Sequence, residues 1–335
     1  MAHGGGGRAM ARLLDDVVFR HVQSVELSAR HDSAVLDFGG ALRQPGASVA
    51  FTTDTYVVSP LFFPGGDIGR LAVFGTVNDL AMAGATPVAL SLALLLEEGF
   101  PLAELSRVTA SIQAACAEAD VRVVTGDTKV VDRGKGDGLY ITTSGVGLVR
   151  PGVRVAPDRI AEGDAILVSG DIGRHGIAIL GVREHLGFEP PVPSDCAPLA
   201  APVAALLDAG IDLHAARDLT RGGLAAALCE LSRTAGVALR IEETSVPVSA
   251  EVAAACELFG FDPLHVACEG RMALFVPAAD AERACSILRA FPACEGAVRI
   301  GAVESAGEAG VEMRTRLGGR RIIDLPSGEL LPRIC

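Results

Sequence analysis

Residues 52–85 read TTDTYVVSPLFFPGGDIGRLAVFGTVNDLAMAGA, and this segment predicts the order of elements that decides the fold. Its first part lies in a predicted strand, Ser48–Val58. The turn Pro64–Asp67 opens a helix that is predicted to run to about Ala83. Residues Pro87–Leu96 follow as a buried strand. Strands that alternate with helices in this way are typical of α/β layers.

The same alternation continues on both sides of that segment, which extends the α/β prediction to the whole chain. Further helices are predicted near residues 8–22, 101–116, 174–186, 199–209, 220–235, 249–259 and 280–290. Further strands are predicted near residues 34–36, 121–131, 139–148, 165–169, 237–242, 271–277 and 297–303. A hairpin-like segment at 311–325 precedes the C-terminal tail.

The length of the chain predicts two domains. It has 335 residues, half of them apolar, which is enough for two compact α/β domains and too much for one hydrophobic core. The segment Arg150–Pro157 interrupts the alternation with proline and glycine, so we place the domain boundary there. We predict an N-terminal domain at 1–150, a C-terminal domain at 151–325 and a mobile tail at 326–335.

Charge and cysteine spacing exclude several classes of function. The formal net charge of −12 disfavours nucleic acid or an anionic membrane as a partner, and it suits a protein that gathers metal cations. The eight cysteines form no Cys-x-x-Cys pair, so neither a zinc site nor a thioredoxin motif is indicated. No signal peptide is visible after Met1, and the longest apolar run, Val88–Leu96, is too short to span a bilayer. We therefore predict a cytoplasmic protein.

Several carboxylates stand at element ends or inside apolar segments rather than on solvated helix faces. They are Asp32, Asp54, Asp79, Asp127 and Asp218. One such carboxylate is usually a cap or a turn residue, but five in these contexts indicate a site. Hard oxygen ligands are what Mg²⁺ needs when it also holds phosphates. Lys129, two residues after Asp127, can then face the same phosphates as a point charge.

Glycine clusters offer candidate phosphate contacts. The chain has no Gly-x-x-x-x-Gly-Lys-Ser/Thr motif, so it is not a P-loop protein. Backbone N–H groups at Gly222 and Gly223, after Thr220, and in the N-terminal glycine run at 4–7 are the alternatives. Turns are the commoner use of glycine. His3 precedes that glycine run, and both a phosphate contact and a plain turn stay open for it.

The chain ends in Leu-Leu-Pro-Arg-Ile-Cys, and the terminal Cys335 is a candidate covalent carrier. Pro332 stiffens the tail, and Arg333 places a positive charge that favours the thiolate. The alternative is a frayed end with an incidental cysteine, which is the usual state of chain ends. Glu269 precedes an apolar strand and is either a turn residue or a buried base. On spacing alone, the turn is the commoner use.

Taken together, these motifs resemble the HypE family of NiFe-hydrogenase maturation factors, which are carbamoyl dehydratases of the aminoimidazole-ribonucleotide-synthetase-like (PurM-like) superfamily. The segments that carry the resemblance are 52–85, GDTKVVDRGK at 126–135, LVSGDIGRHG at 167–176, Ser194-Asp195-Cys196, RDLTRGG at 217–223, CEGRM at 268–272 and the Pro-Arg-Ile-Cys terminus. The middle motifs are shared in looser form with selenophosphate synthetases. One departure is His31, where the family tends to have an acidic residue before the aspartate.

The resemblance implies two α/β domains, the first of which supplies strands to a barrel across a homodimer interface with ATP bound nearby. It also implies that the carbamoyltransferase HypF loads a carbamoyl group onto Cys335. ATP then drives dehydration of that group to a thiocyanate, and the cyano group passes to a HypC–HypD complex for the hydrogenase iron.

The resemblance gives each candidate residue an expected role. Mg²⁺ with ATP would be held by Asp32, Asp79 and Asp218, and Lys129 would offset developing charge. The base would be Glu269 and the carrier Cys335. Contacts to the nucleotide are expected from Thr220, Gly222, Gly223 and His3, and Asp54 and Asp127 are expected to support either the metal or the nucleotide. Two other functions stay open: a synthetase of the superfamily acting on a free substrate or on selenide, and a non-catalytic scaffold that binds ATP.

Overall fold

Helices and strands alternate along the computed structural model, which describes residues 12–28, 34, 36–189, 191–304 and 308–325. The α-helices are α1 (Val25–Ser28), α2 (Ile68–Met82), α3 (Leu102–Glu118), α4 (Arg174–Arg183), α5 (Ala200–Asp208), α6 (Gly223–Ala235), α7 (Ala250–Phe259) and α8 (Ala281–Leu288). A π-helical turn covers Leu14–Val18. The strands are β1 (Ser48–Tyr56), β2 (Phe62–Phe63), β3 (Gly66–Asp67), β4 (Ala85–Glu97), β5 (Arg122–Val131), β6 (Leu139–Val149), β7 (Asp164–Val168), β8 (Ala215–Asp218), β9 (Ala238–Glu242), β10 (Met272–Pro277), β11 (Val298–Val303), β12 (Gly310–Arg314) and β13 (Arg320–Ile323).

Helix α2 is the central element of the first half. Asp67 caps it, because its Oδ1 accepts hydrogen bonds from the N–H groups of Gly69 and Arg70 at 2.8 and 3.1 Å. Nearly all of its 15 residues are buried, as expected for a helix that is apolar on every side. It packs against β1, β4 and β6 and also against β8 and α5, so it contacts both halves of the chain.

The first half forms a four-stranded sheet in the order β1-β6-β4-β5. Only β4 and β5 run parallel; the other neighbours are antiparallel. On β4, side chains such as Leu92 and Leu94 are buried against the helices, whereas the alternating residues are partly exposed on the other face. This sheet therefore has one covered face and one open face, and its edges are β1 and β5.

The second half forms a seven-stranded sheet in the order β13-β12-β9-β11-β7-β10-β8. Every residue of its interior strand β7 is buried. Ile166 and Val168 pack in one core cluster with Leu224 of α6. Leu167 packs in another cluster with Leu206 of α5. Both faces of this sheet are thus covered by helices, which confirms the predicted α/β layers.

Some boundaries differ from the predictions. The helix predicted at 8–22 is helical only to Val18 in its described part, where a π turn ends it. Ala34 and Leu36 are not in a strand, so that strand prediction is wrong for the described residues. Strand β8 was not predicted, because four residues are too few to give a periodic pattern. Within the described ranges, no helix has the length and apolarity needed to cross a membrane.

Candidate active site

Asp79 lies on α2 where the helix meets the sheet, and its side chain is half-buried. Its Oδ2 accepts a hydrogen bond of 2.8 Å from the Thr52 hydroxyl on β1. Burial raises the pKa of Asp79, and the charge of Asp54 raises this pKa further, whereas the Thr52 hydrogen bond lowers it. This carboxylate is therefore held in an environment that disfavours a lone negative charge.

Asp218 ends β8, the strand that packs against α2. Burial, followed by the charges of Asp79 and Asp54, raises the pKa of Asp218 from 3.8 to about 7. Asp54, Asp79 and Asp218 therefore form one group of interacting acids, which we call the carboxylate cluster. Three distant parts of the sequence meet there.

The chemistry of the carboxylate cluster suits a hard divalent cation, because such a cation would offset the mutual repulsion of its oxygens, but its described members do not by themselves form a metal-binding group. Of the three predicted metal ligands, Asp79 and Asp218 lie together, whereas Asp32 falls outside the described residues. Among the residues that the structure describes, no three His, Cys, Asp or Glu side chains are grouped closely enough to hold a metal ion.

Glu269 is buried, with 4% of its surface exposed, in the turn before β10. Its backbone N–H donates a 3.0 Å hydrogen bond to Asp195 Oδ1. Burial raises the pKa of Tyr56 well above its usual range, and the charges of Asp54, Glu269 and Asp79 raise it further. Tyr56 thus lies within electrostatic reach of both Glu269 and the carboxylate cluster.

The turn at Thr220–Gly223 connects Asp218 to helix α6. Gly222 and Gly223 have φ angles of 78° and 60°, which favour glycine. The N–H of Gly223 donates to the carbonyl of Thr220 at 2.9 Å. A Cβ at Gly223 would lie 2.6 Å from the carbonyl oxygens of Leu264 and Val266. Both glycines are therefore explained by the turn, and their contact with phosphate stays a prediction.

Asp127 and Lys129 lie on β5, at the opposite edge of the sheet from Asp54 on β1. Three strand spacings separate these edges, which amounts to about 14 Å. Both side chains are exposed, and their β4 partners are Ala93 and Leu95, which alternate with the buried Leu92. Within one chain, Lys129 and Asp127 are not brought to the carboxylate cluster.

Beside Asp127, a cavity of about 150 Å³ opens between β5 and the N-terminal segment. It is lined by apolar residues and by residues 125–128. These lining residues include Leu14, Val18, Phe19, Leu27, Leu92, Leu94 and Val123. Two further predicted site residues, His3 and Cys335, lie outside the described residues.

Sequence comparisons identify the family. The N-terminal domain of AIR synthase related protein matches residues 30–149, and the C-terminal domain of the same family matches residues 161–314. All 335 residues align at 50% identity with carbamoyl dehydratase HypE of Azotobacter vinelandii, covering 96% of that protein. The alignment with carbamoyl dehydratase HypE of Escherichia coli strain K12 gives 40% identity and covers 100% of this chain and 98% of that one.

The chain belongs to the HypE family.

Solved structures of HypE proteins share the fold. A hydrogenase maturation protein HypE in complex with ATP superimposes with a TM-score of 0.95 at 44% identity, covering 100% of this chain and 99% of that chain. A HypE chain from a HypE–HypF complex gives a TM-score of 0.81 at 40% identity over 94% of this chain and 99% of that one. Thiamine-monophosphate kinase of Stenotrophomonas maltophilia K279a, at 20% identity, TM-score 0.62 and coverage of 81% and 86%, shares the fold alone. The predicted two-domain fold of this superfamily is therefore confirmed.

Sequence reasoning missed several side chains that shape the site in this HypE family member. Thr52 donates a hydrogen bond to Asp79, and the buried Tyr56 ends strand β1 within electrostatic reach of Asp54, Glu269 and Asp79. Asp195 bonds the backbone of Glu269. The Ser194-Asp195-Cys196 motif did not by itself predict a role for Asp195. The sequence feature that could have indicated one is an acidic residue with apolar neighbours in a segment bounded by prolines.

Proposed function

We propose that this chain is an ATP-dependent carbamoyl dehydratase of hydrogenase maturation, which dehydrates an S-carbamoyl group on its own Cys335. The observation that carries the proposal is the alignment of the full chain with proteins named carbamoyl dehydratase HypE. Its product is a thiocyanate on the same sulfur, which supplies the cyanide ligand of the hydrogenase iron. We place this activity in the cytoplasm.

The chemistry removes one water from an amide. The carbamoyl oxygen attacks the γ-phosphorus of ATP, ADP leaves, and the oxygen becomes a phosphate leaving group. Two N–H protons are then lost, the carbon–oxygen bond breaks, and the products are R–S–C≡N and inorganic phosphate. This route needs a phosphate donor at the oxygen and a base at the nitrogen.

The candidate site supports these two requirements. Glu269 is our base, because it is a buried carboxylate whose backbone N–H is held by Asp195. Mg²⁺ would be held by Asp79 and Asp218, with Asp32 completing the ligand set, and it would offset charge on the phosphates. ATP is proposed as the nucleotide because a solved HypE at 44% identity is an ATP complex. Its contacts would come from Asp54, Thr220, Gly222, Gly223 and His3. Asp127, which lies on the opposite sheet edge, would contribute from a second copy of the chain.

We propose a homodimer, because the four-stranded sheet has an open face that a second copy would cover. Phe51 on its edge strand is 71% exposed and Val49 is 48% exposed. Two such sheets would form the barrel implied by the family resemblance.

Lys129 is exposed on the edge strand β5, and its strand partner Leu95 lies on the open face of the sheet. We therefore infer that Lys129 completes the site of the second copy.

Mixed dimers test this role of Lys129. Dimers of Lys129→Ala alone or Asp79→Asn alone have two defective sites and should be inactive. If Lys129 acts on the partner, a mixed dimer of the two variants has one complete site and regains up to half of the wild-type activity per dimer. A mixed dimer as inactive as its parents would place Lys129 in the site of its own chain.

For partners, we propose the carbamoyltransferase HypF as the source of the carbamoyl group, since a HypE–HypF complex aligns with 94% of this chain. The HypC–HypD complex is our proposed acceptor of the cyano group.

The domain limits that we propose are 1–150, 151–325 and the tail 326–335. The four-stranded and the seven-stranded sheet fall on either side of the first limit.

The decisive experiment is the mass of the C-terminal peptide after incubation with HypF, a carbamoyl donor and ATP. The wild-type peptide should gain a carbamoyl group and then lose one water. Cys335→Ala should show neither change, whereas the matched control Cys229→Ala should behave as wild type because Cys229 lies on α6. An unmodified wild-type C-terminal peptide would exclude the carrier role and favour a synthetase with a free substrate or a scaffold.

A further inference from the structure

Residues 194–199, Ser-Asp-Cys-Ala-Pro-Leu, lie between helix α2 and the turn that carries Glu269. We call them the 194–199 strip. Ser194, Asp195 and Cys196 are 9%, 7% and 6% exposed, although the strip is neither helix nor strand. A buried irregular segment must have its backbone groups satisfied by other parts of the chain. The partners of this strip come from both halves of the molecule.

On one side, Asn78 of α2 holds the strip with both atoms of its amide. Its Nδ2 donates to the carbonyl of Ala197 at 3.1 Å, and its Oδ1 accepts from the N–H of Leu199 at 2.8 Å. Asn78 is 1% exposed and directly precedes Asp79. Cys196 also packs in the core cluster of the first half. The strip is therefore fixed to the helix that carries Asp79.

On the other side, Asp195 holds the turn at 268–271. Its Oδ1 accepts from the N–H of Glu269 at 3.0 Å. The backbones approach so closely that a Cβ at Gly270 would lie 2.0 Å from the carbonyl oxygen of Asp195. The strip is thus fixed both to Asn78 and to the residue proposed as the base.

The burial of Asp195 requires an explanation. Its side chain is 0% exposed, and the nearest cation in a described ion pair is Arg271, whose Nε lies 3.9 Å from Oδ2. Asp195 Oδ2 has no hydrogen-bond partner among the described residues. A carboxylate kept in such surroundings costs stability. The structural role that the geometry gives this carboxylate is to accept the hydrogen bond from the Glu269 N–H.

We infer that Asp195 and Asn78 are positioning residues, which act through the strip to fix Glu269 relative to Asp79. This inference rests on the proposed function, because it assigns a task to the distance between the proposed base and a proposed metal ligand. A misplacement of about 1 Å can slow a positioned reaction by about 100-fold. ATP binding does not require Glu269 and should be insensitive to such a shift.

The test compares Asp195→Ala with Asp195→Asn in the full-length protein. Alanine removes the acceptor for the Glu269 N–H, whereas asparagine keeps Oδ1 in place. We expect the alanine variant to dehydrate carbamoylated Cys335 about 10- to 100-fold more slowly at saturating ATP, with the Kd for ATP within about twofold of wild type. The asparagine variant should recover most of the rate. If Asp195→Ala does not fold, Asp195→Ser replaces it, since its hydroxyl is one bond too short.

A matched control removes a different buried carboxylate. Asp164 is 2% exposed and lies at the far end of the β7–β10 pair, where it bonds His214. Asp164→Ala should lower the melting temperature and leave the dehydration rate unchanged. A wild-type rate in the Asp195→Ala or Asp195→Ser variant would overturn the inference while leaving the proposed function intact. If wild-type protein never dehydrates the carbamoyl group, the proposed function itself fails.

Discussion

Asp218 is a partly buried acid whose pKa is raised by folding. Its pKa rises from 3.8 to about 7 on folding, so between these values the folded chain binds a proton that the unfolded chain has lost. Its contribution to the free energy of unfolding therefore falls as pH rises from about 3.8 to about 7 and is constant above that range. In metal-free protein, we expect Asp218→Asn to be more stable than wild type above pH 7, with the difference shrinking toward pH 4.

Chemical denaturation of both proteins with a chelator present, at a series of pH values, measures this difference. A difference that does not change with pH would mean that Asp218 is ionised throughout. Added Mg²⁺ should reverse the order at high pH, because the cation binds the ionised carboxylates of wild type.

Asp79 gives a separate prediction at the same scale. The Asn side chain keeps the shape and the acceptor for Thr52 but lacks the charge that attracts a cation. We expect Asp79→Asn to weaken Mg·ATP binding by about tenfold or more, equivalent to about 1.4 kcal/mol, without unfolding the protein. Calorimetric titration measures the affinity, with the exposed Asp208→Asn as the control. Equal affinities in the two folded variants would count against a ligand role for Asp79.

Among the elements, helix α6 depends on an unusual start. Gly223 has a positive φ. A Cβ added to Gly223 would lie only 2.6 Å from each of two carbonyl oxygens, those of Leu264 and Val266. Gly236 at the other end of α6 also has a positive φ, but an added Cβ there would have nothing within 4 Å. We expect Gly223→Ala to lose about 2 kcal/mol or more and Gly236→Ala about 1 kcal/mol.

Thermal unfolding of the two variants separates backbone strain from steric approach. Both changes introduce the same strained φ, so the extra loss at Gly223 reports the contact with the Leu264 and Val266 carbonyls. Similar losses would show that these carbonyls move aside. Because Asp218 and Thr220 precede the turn, the Gly223 variant should also bind ATP more weakly than the Gly236 variant.

The elements around Asp79 could be predicted closely from the sequence. Strand β1, helix α2 and strand β4 begin and end within two residues of their predicted limits, because turn residues and long apolar runs bound them. Strand β8 escaped prediction, since four residues give no periodicity. The partnership of Asp79 with Asp218 could not be predicted without the packing of α2 on β8. Likewise, the distance of Lys129 from the carboxylate cluster depends on strand order, which local patterns do not contain.

For the whole molecule, the open sheet face predicts the state of association. Phe51→Glu places a charge where a second copy would bury a 71% exposed aromatic ring. We expect this variant to have half the wild-type mass by light scattering at micromolar concentration. The matched control is Ile322→Glu, which alters a 63% exposed residue on the edge strand of the other sheet. If wild type is already a monomer, the homodimer proposal is wrong.

The central claim is that the chain phosphorylates the carbamoyl oxygen on Cys335 and eliminates it with Glu269 as the base. The most direct measurement uses a carbamoyl group labelled with oxygen-18 on wild-type protein and on Glu269→Gln, which keeps the shape but cannot take a proton at neutral pH. We predict that wild type forms the thiocyanate and transfers the label to inorganic phosphate, whereas Glu269→Gln binds ATP and retains the labelled carbamoyl peptide. Thiocyanate formed with unlabelled phosphate, or formed by Glu269→Gln at the wild-type rate, would contradict this account.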